Sequence, residues 1–546
     1  MISPTPTSIV DIFRQAAEQD CQISFVDTKD ECDIGWRDIW NNAREIAAAM
    51  QDDGVGPGDV IAISLPTSRI FAEVYVATAI CGALPFVVSM VSGAADKELV
   101  LDRLTHLCGQ TSATFLVTDS TGVDIASQRF HGSATKSVDY KVWLGRSVEG
   151  CQLVHRSWSD AALVQSSSGS TGKPSCLVLS NKNLITNLQQ ITSNLDADAT
   201  DCMVSWLPLY HDMGLVGCFL FPTFCQMPIY LMRPMTFLRR PLKLLYEISA
   251  HGGTISPSPN FAYDRLISHA AKVDPSKLAL HTWKAAMCGA EPINPDTMKD
   301  FVRLYSPYGL KPTAFTPCYG MAEATLCISS KPITKLPNSV VHTVHRSNAG
   351  VADATTWDLE VVDCGVPVTG INVRIVDDTD VGKPDRDAGR ILIDGDSVFD
   401  ERFVDGERVT RPRGFYDTGD VGFIFKGSLY LTGRLKDIII INGRNYSAYF
   451  FEHVAEGYAP TLTGKTLAFA NISLRQEQVR LLVEDVRGLD VSAAAIEAHV
   501  AKKTGIRPIV KLVGRNSLPR TTSGKLQRQV AKERYMEVTD EPVSIA

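Results

Sequence analysis

The sequence predicts an α/β protein: a large amino-terminal domain of mixed and parallel sheets covered by helices, a small β subdomain at its end, and a small α+β carboxyl-terminal domain. Three observations carry that reading. Apolar strand-like runs alternate with helical ones through the first part of the chain, the pattern of helix-covered sheets that bind ligands at the carboxyl ends of their strands. After about residue 360 the texture changes to short runs of period two, as in a small β unit. A second boundary falls near Arg434-Leu435-Lys436-Asp437, and the roughly 110 residues beyond it lack cysteine and suffice for an independent domain. The expected organisation is an amino-terminal core over 1–434, with its β subdomain over about 360–434, and a carboxyl-terminal domain over 435–546.

Taken in order, Val60-Ile61-Ala62-Ile63-Ser64-Leu65 is a short apolar strand introduced by Gly58-Asp59. Arg69 to Cys81 is an apolar helix ending near Gly82, and the pair makes a βα unit. Thr114 to Thr118 and Ala161 to Val164 read as further strands, Lys182 to Leu195 as an amphipathic helix, and Lys284 to Cys288 as a buried strand ending at Gly289. The uncharged run from Gly214 to Met232 reads as a buried helix and strand rather than a membrane span, because Pro222, Gln226 and Pro228 interrupt it. Val373 to Val376, Arg390 to Ile393 and Leu429 to Leu431 supply the β subdomain. In the last unit, strands are expected at Ile438 to Ile441, before the turn Asn442-Gly443, and around Val479 to Val483, with a helix over Ala493 to Thr504.

With 45% apolar residues among 546, the chain can bury large cores, and a formal charge of −7 argues against general nucleic-acid binding. Thirteen cysteines occur without a C-x-x-C pair. That spacing suits reduced, mostly buried thiols in a cytoplasmic protein rather than a disulfide frame or a zinc site. The first residues show no basic region followed by an apolar core, so no secretory signal is expected.

The stretch from Ser166 to Pro174 places five hydroxyls and two glycines directly after a strand. Glycines there let backbone N–H groups approach an anion, and the hydroxyls of Ser168, Ser170 and Thr171, between Gly169 and Gly172, supply more donors, so the stretch reads as a phosphate loop. It is neither an ordinary P-loop nor a dinucleotide fingerprint. By composition it reads equally as a flexible Ser/Gly linker.

Further motifs follow in a fixed order: Ser205 to Gly214 (SWLPLYHDMG), Gly289-Ala290-Glu291-Pro292, Tyr319-Gly320-Met321-Ala322-Glu323, Asp417-Thr418-Gly419-Asp420, Gly433 to Asp437 (GRLKD) and Leu518 to Lys525 (LPRTTSGK). With the loop they make the chain resemble the adenylate-forming enzymes over nearly its whole length, and most of all the fatty acyl-AMP ligases. The Leu-Pro-x-Tyr-His-Asp-Met-Gly and Gly-Ala-Glu-Pro strings are typical of that group. So are the roughly 40 residues between Glu323 and Cys364-Gly365, where the family carries an insertion thought to disfavour coenzyme A.

The resemblance implies ATP-dependent activation of a carboxylic acid to an acyl-adenylate with release of pyrophosphate, ATP and Mg²⁺ being required. Ser168 to Gly172 would cradle the β- and γ-phosphates, and Glu323 would be the Mg²⁺ carboxylate. Tyr319, followed by Gly320 and Met321, would offer a face to adenine, and Gly289, Ala290, Glu291 and Pro292 would line the other side. Asp420 would take both ribose hydroxyls and Arg434 would reach ribose or phosphate. Trp206, His211, Asp212, Met213, Gly214 and Cys218 would shape the acyl pocket, His211 at its mouth. Lys525, on a mobile carboxyl-terminal domain that turns about Lys436, would bridge carboxylate and phosphate. Outside the motifs each residue has a plainer reading: Glu323 as a helix-start acid, Tyr319 and His211 as core, Asp417 to Asp420 as a turn, Lys525 as a solvated lysine.

Three departures from the family pattern stand out. Pro174-Ser175-Cys176 replaces the usual Pro-Lys-Gly and loses a positive charge, Cys218 stands where relatives commonly have glycine, and Asn445 to Glu452 departs from the usual Pro-x-x-Ile-Glu ending. Residues 501–535 hold ten Lys or Arg and the single acid Glu533, a basic face suited to an acidic acyl carrier protein, although a solvated face reads nearly as well. Transfer to a carrier protein is the leading expectation. Transfer to coenzyme A or a small amine, and a nucleotide-binding homologue without turnover, are the alternatives.

Overall fold

The computed structural model describes residues 5–27, 33–91, 97–146, 150–167, 174–333, 343–346, 359–385, 387–441, 444–473, 476–485, 492–520 and 526–536. Two large sheets organise the amino-terminal region. In the eight-stranded one, Ala161–Ser166, Leu84–Val87, Val60–Ile63, Phe115–Thr118 and Lys136–Asp139 run parallel, and Cys176–Ser180, Glu401–Val404 and Glu407–Thr410 extend it antiparallel. The inner parallel strands are largely apolar because helices cover both faces, and all four residues of Val60–Ile63 are buried, whereas the edge strand Lys136–Asp139 is polar and partly exposed. Val60–Ile63 ends two residues before the sequence suggests, since Pro66 follows and Ser64 turns its hydroxyl onto the Ser89 carbonyl at 3.1 Å.

The nine-stranded sheet sets Met203–Ser205, Ile229–Leu231, Ile255–Ser258, Ala285–Cys288 and Phe315–Gly320 side by side in parallel. One continuous apolar core joins the two sheets. At its centre Phe219 meets Trp36 at 5.6 Å and Phe13 at 6.1 Å between ring centroids, so the uncharged run containing Phe219 is core. Among the described residues no helix is long and apolar enough to cross a membrane. A short helix, Asp212–Leu215, leads into that run, which holds a π turn, Val216–Leu220, and a second helical turn, Phe221–Phe224. Pro222 has no N–H to give the Cys218 carbonyl, and the ladder widens so that Phe221 bonds Val216 instead.

A four-stranded antiparallel sheet follows, built from Asn372–Val376, Gly389–Asp394, Tyr416–Phe425 and Ser428–Arg434. A 3₁₀ turn, Leu435–Asp437, then leads to Ile438–Ile441 and a small carboxyl-terminal region with a three-stranded sheet, Thr466–Ser473, Gln476–Glu484 and Ile509–Val513, covered by Ala448–Glu456 and Ala493–Thr504. Its two apolar clusters are made entirely of residues after 438. All twelve cysteines among the described residues are free thiols.

Two acids on the helix Ala448–Glu456, the buried Glu452 and the half-buried Glu456, show how this small region is tied together. Glu452 pairs with Arg528 at 2.9 Å and accepts the Ala468 N–H at 2.7 Å. Glu456 accepts the Gly464 N–H at 2.8 Å and the Thr466 hydroxyl at 3.0 Å, and burial pushes its carboxyl up to about 8. A carboxyl raised in the folded state binds its proton more tightly there than in the unfolded chain. Its contribution is full below about pH 4.5 and is lost as pH climbs toward 8. Wild-type stability, measured by urea denaturation across this range, is therefore expected to fall with rising pH more steeply than that of Glu456→Gln.

Candidate functional site

Three of the sequence motifs converge on one carboxylate. Tyr416–Phe425 and Ser428–Arg434 are antiparallel neighbours in which Asp420 lies directly opposite Arg434, and Arg434 Nε donates to Asp420 Oδ1 at 3.0 Å. Tyr319, near the end of Phe315–Gly320 in the other sheet, donates its hydroxyl to Asp420 Oδ2 at 2.7 Å. Asp420 is buried, which raises its carboxyl, while Arg434 and Tyr319 pull it back. Two oxygens offer about four acceptor positions, and these two donors leave room for a pair of hydroxyls.

Glu323 lies in the 3₁₀ turn Ala322–Ala324, just after Tyr319, and is 9% exposed. Burial raises its carboxyl, and nearby Asp212 raises it further; the Ser167 hydroxyl and Arg434 act in the opposite sense. Glu323 thus has a second carboxylate, Asp212, and the Ser167 hydroxyl within its electrostatic neighbourhood. No cluster of three metal-ligating side chains occurs among the described residues. The set still fits Mg²⁺, which takes one or two carboxylates and completes its shell with water and phosphate.

Nearby lies a narrow apolar cavity of about 50 Å³, lined by Asp212, Met213, Gly217, Ala290, Tyr319, Gly320 and Leu326 among others. Ligand pockets commonly begin near 300 Å³, so a bulky acyl chain needs side chains to move. Of the six residues expected to shape an acyl pocket, only Asp212 and Met213 line it. Trp206 is instead packed away, its ring stacked on Phe237 at 4.0 Å and its N–H donated to Ser258 at 2.9 Å. His211 is the N-cap of Asp212–Leu215, with its ring against Tyr210 at 4.8 Å. Gly214 serves close packing: a Cβ there would stand 2.1 Å from the Pro208 carbonyl oxygen. Cys218 turns its thiol to the Met213 carbonyl at 3.2 Å, because the π turn rotates the positions that follow, and Gly217 faces the cavity in its place.

The Gly-Ala-Glu-Pro stretch also divides its work. Ala290, at φ +69°, lines the cavity, whereas Glu291 accepts the Phe261 N–H at 2.7 Å at the start of Asn260–His269, a carboxylate placed where a helix start favours it. Gly289 lies under Cys318, whose sulfur would be 2.8 Å from a Cβ, Pro292 is exposed, and Met321 donates its N–H to the Leu326 carbonyl at 2.9 Å. Gly320 has the Leu326 carbonyl oxygen 1.8 Å from a Cβ position, so the hairpin at the cavity wall tolerates no side chain. Lys436 sits in the 3₁₀ turn, where burial and the Arg434 charge lower its ammonium. Ser168 to Gly172 and Lys525 lie outside the described residues; the strands that flank the loop pair Ser166 with Cys176. Sequence reasoning missed Ser167, Gly217, Cys318 and Leu326. Ser167 lies within the recognised loop without having been given a role, and Cys318 borders a recognised motif, but nothing in the sequence marks Gly217, whose direction is set by the π turn.

Gly214→Ala is expected to cost about 1–3 kcal/mol, the usual range for overpacking, as read by chemical denaturation.

The AMP-binding enzyme family matches residues 12–401. The long-chain-fatty-acid–AMP ligase FadD26 of Mycobacterium tuberculosis is 29% identical over 92% of this chain and 91% of its own. JamA of Moorena producens, a medium-chain-fatty-acid–acyl-carrier-protein ligase, is 30% identical over 69% of this chain and 68% of its own. A solved structure from work on the fatty acyl-adenylate ligases of E. coli and L. pneumophila aligns with a TM-score of 0.88 at 27% identity, covering 97% of this chain and 98% of that one. The chain belongs to the AMP-binding enzyme family, within the adenylate-forming superfamily, and is a ligase of the fatty acyl-AMP ligase-like kind.

Proposed function

We propose that this ligase couples a carboxylic acid to the α-phosphate of ATP and then passes the acyl group to the phosphopantetheine thiol of an acyl carrier protein. The observation that carries the reading is the Tyr319–Asp420–Arg434 cluster opening onto an apolar cavity beside Glu323. A carboxylate oxygen forms the new bond to phosphorus while the bond to the bridging oxygen of the β-phosphate breaks, and pyrophosphate leaves. Asp420 accepts the ribose hydroxyls on the positions left by Tyr319 and Arg434, and the Tyr319 ring borders adenine. Glu323, with Ser167 beside it, would hold Mg²⁺, which supplies positive charge to the polyphosphate. Lys525 is assigned the charge that bridges carboxylate and phosphate in the transition state. The chain is read as two domains, 1–434 and 435–546, that reorient about Lys436 between the two half-reactions.

For the acceptor, the support is electrostatic, together with the likeness to JamA. Lys502, Lys503 and Arg515 are exposed on the carboxyl-terminal region, as is Arg507, which pairs with Glu497, whereas Arg528 is engaged by Glu452. An acidic carrier domain is steered by such a surface. Coenzyme A is the second acceptor to be compared.

Acid-dependent pyrophosphate exchange over a panel of carboxylic acids tests the first half-reaction, and exchange with none of them overturns it. Lys525→Ala is expected to lower exchange by about 10²-fold or more while ATP still binds. Holo-carrier protein against coenzyme A, added to the preformed adenylate, separates the acceptors. Gly217→Val should narrow the range of acids, since even a Cβ there stands 3.0 Å from Leu326 Cδ2; exchange with the longer acids drops first.

A further inference from the structure

The helix Lys97–Thr111 lies on the eight-stranded sheet, where Leu104, Leu107 and Cys108 share a core with Val164, Cys176 and Phe403. It follows Leu84–Val87 and precedes Phe115–Thr118, two parallel-running strands, so its first turns lie toward the carboxyl ends of the strands, where the phosphate loop begins. Gln110, near its end, takes the Cys176 thiol at 3.6 Å. Arg103 stands two turns earlier on the same helix face. Its guanidinium lies within electrostatic reach of the Tyr210 hydroxyl and the Cys176 thiol. Its Nε is sealed from solvent and has no hydrogen-bond partner among the described residues.

Those neighbours place Arg103 at the base of the loop. Ser166 pairs with Cys176, Ser167 donates its N–H to the Ser175 carbonyl at 2.8 Å, and Gln165 Nε2 reaches the Tyr210 carbonyl at 3.4 Å. Neither the Tyr210 hydroxyl nor the Cys176 thiol balances the charge; burial pushes the Cys176 thiol up to about 12, so it stays neutral. Burial likewise works against the charged guanidinium of Arg103. A guanidinium that is only partly exposed, with its Nε sealed and unpartnered among the described residues, is favoured by an anion beside it. Ser175 and Cys176 carry no charge at this end of the loop. A planar fork of donors suits phosphate oxygens.

We propose that Arg103 binds the β- and γ-phosphates of ATP, and the pyrophosphate that leaves, in the role that a cation at Ser175 would otherwise fill. This rests on the adenylation reading above, and it adds a residue from a separate helix to the polyphosphate site.

The test compares wild type with Arg103→Met and Arg103→Gln, the latter keeping length and polarity should the former fail to fold. Equilibrium affinities for ATP, pyrophosphate and AMP are measured, alongside KM for ATP and kcat in exchange. Loss of a charge-assisted contact should weaken ATP and pyrophosphate about tenfold to a hundredfold. AMP, which lacks the outer phosphates, should change by less than about twofold. Adding Ser175→Lys to either variant should restore ATP affinity in part, which a purely structural role for Arg103 would not allow. Equal losses for ATP and AMP, or an unchanged ATP affinity, overturn the proposal. Wild type that exchanges with no acid overturns the adenylation reading instead, and the direct ATP and AMP affinities still decide the role of Arg103.

Discussion

The buried carboxylate of Asp420 is the constraint on which the site depends. It is held by a tyrosine from the nine-stranded sheet and an arginine from the four-stranded one, so it fixes how the two sheets meet. A buried carboxylate without donors is among the costliest groups a fold can contain, and its two partners cannot separate without exposing that cost. Further bonds reinforce the seam: Thr325 donates to the Ser397 carbonyl at 2.7 Å, and Phe399 donates its N–H to the Glu323 carbonyl at 2.9 Å. The turn that carries Glu323 is therefore positioned by the same seam that positions Asp420. Glu323 and Asp420, the groups proposed for metal and ribose, are set by one packing arrangement.

Local pattern made the layered α/β plan legible. Ala161–Ser166, Asn181–Leu195 and Ala285–Cys288 lie within a few residues of where apolar periodicity and capping put them; Ser180 and Asn183 form a capping box at the start of the second. Side-chain direction was less legible wherever it depends on distant partners. Trp206 is turned away from the cavity by Phe237 and Ser258, residues 31 and 52 positions later that no local reading links to it. Cys218 is turned from the cavity, and the unmarked Gly217 faces it, in a π turn beside Pro222 that shifts the phase of a helix without changing its apolar character. Arg103 lies outside every motif, on an ordinary amphipathic stretch, and only the pairing of Ser166 with Cys176 brings the loop to it.

Glycine in this enzyme marks where main chain meets main chain. Gly214 under Pro208, Gly320 under Leu326 and Gly365 against Ser330 each sit where a Cβ would overlap a neighbouring backbone. Gly320 lines the apolar cavity, so part of its wall is backbone rather than side chain. A wall of that kind is stiff, and the softer boundary is the side that carries Leu326 and Met213. Variation in acyl substrate is more readily absorbed there than at the hairpin.

The 3₁₀ turn Leu435–Asp437 has an ion pair on either side of Lys436. Arg434 reaches back to Asp420, and Asp437 reaches forward to Arg528 at 3.7 Å, the same arginine that neutralises Glu452 inside the carboxyl-terminal region. In the proposed reading, ribose hydroxyls on Asp420 change what Arg434, the residue that leads into this turn, gains from its present position, so nucleotide occupancy and the setting of the turn share one free-energy balance. By reciprocity, whatever favours one setting of the turn must change nucleotide affinity by the same factor as nucleotide changes the population of that setting.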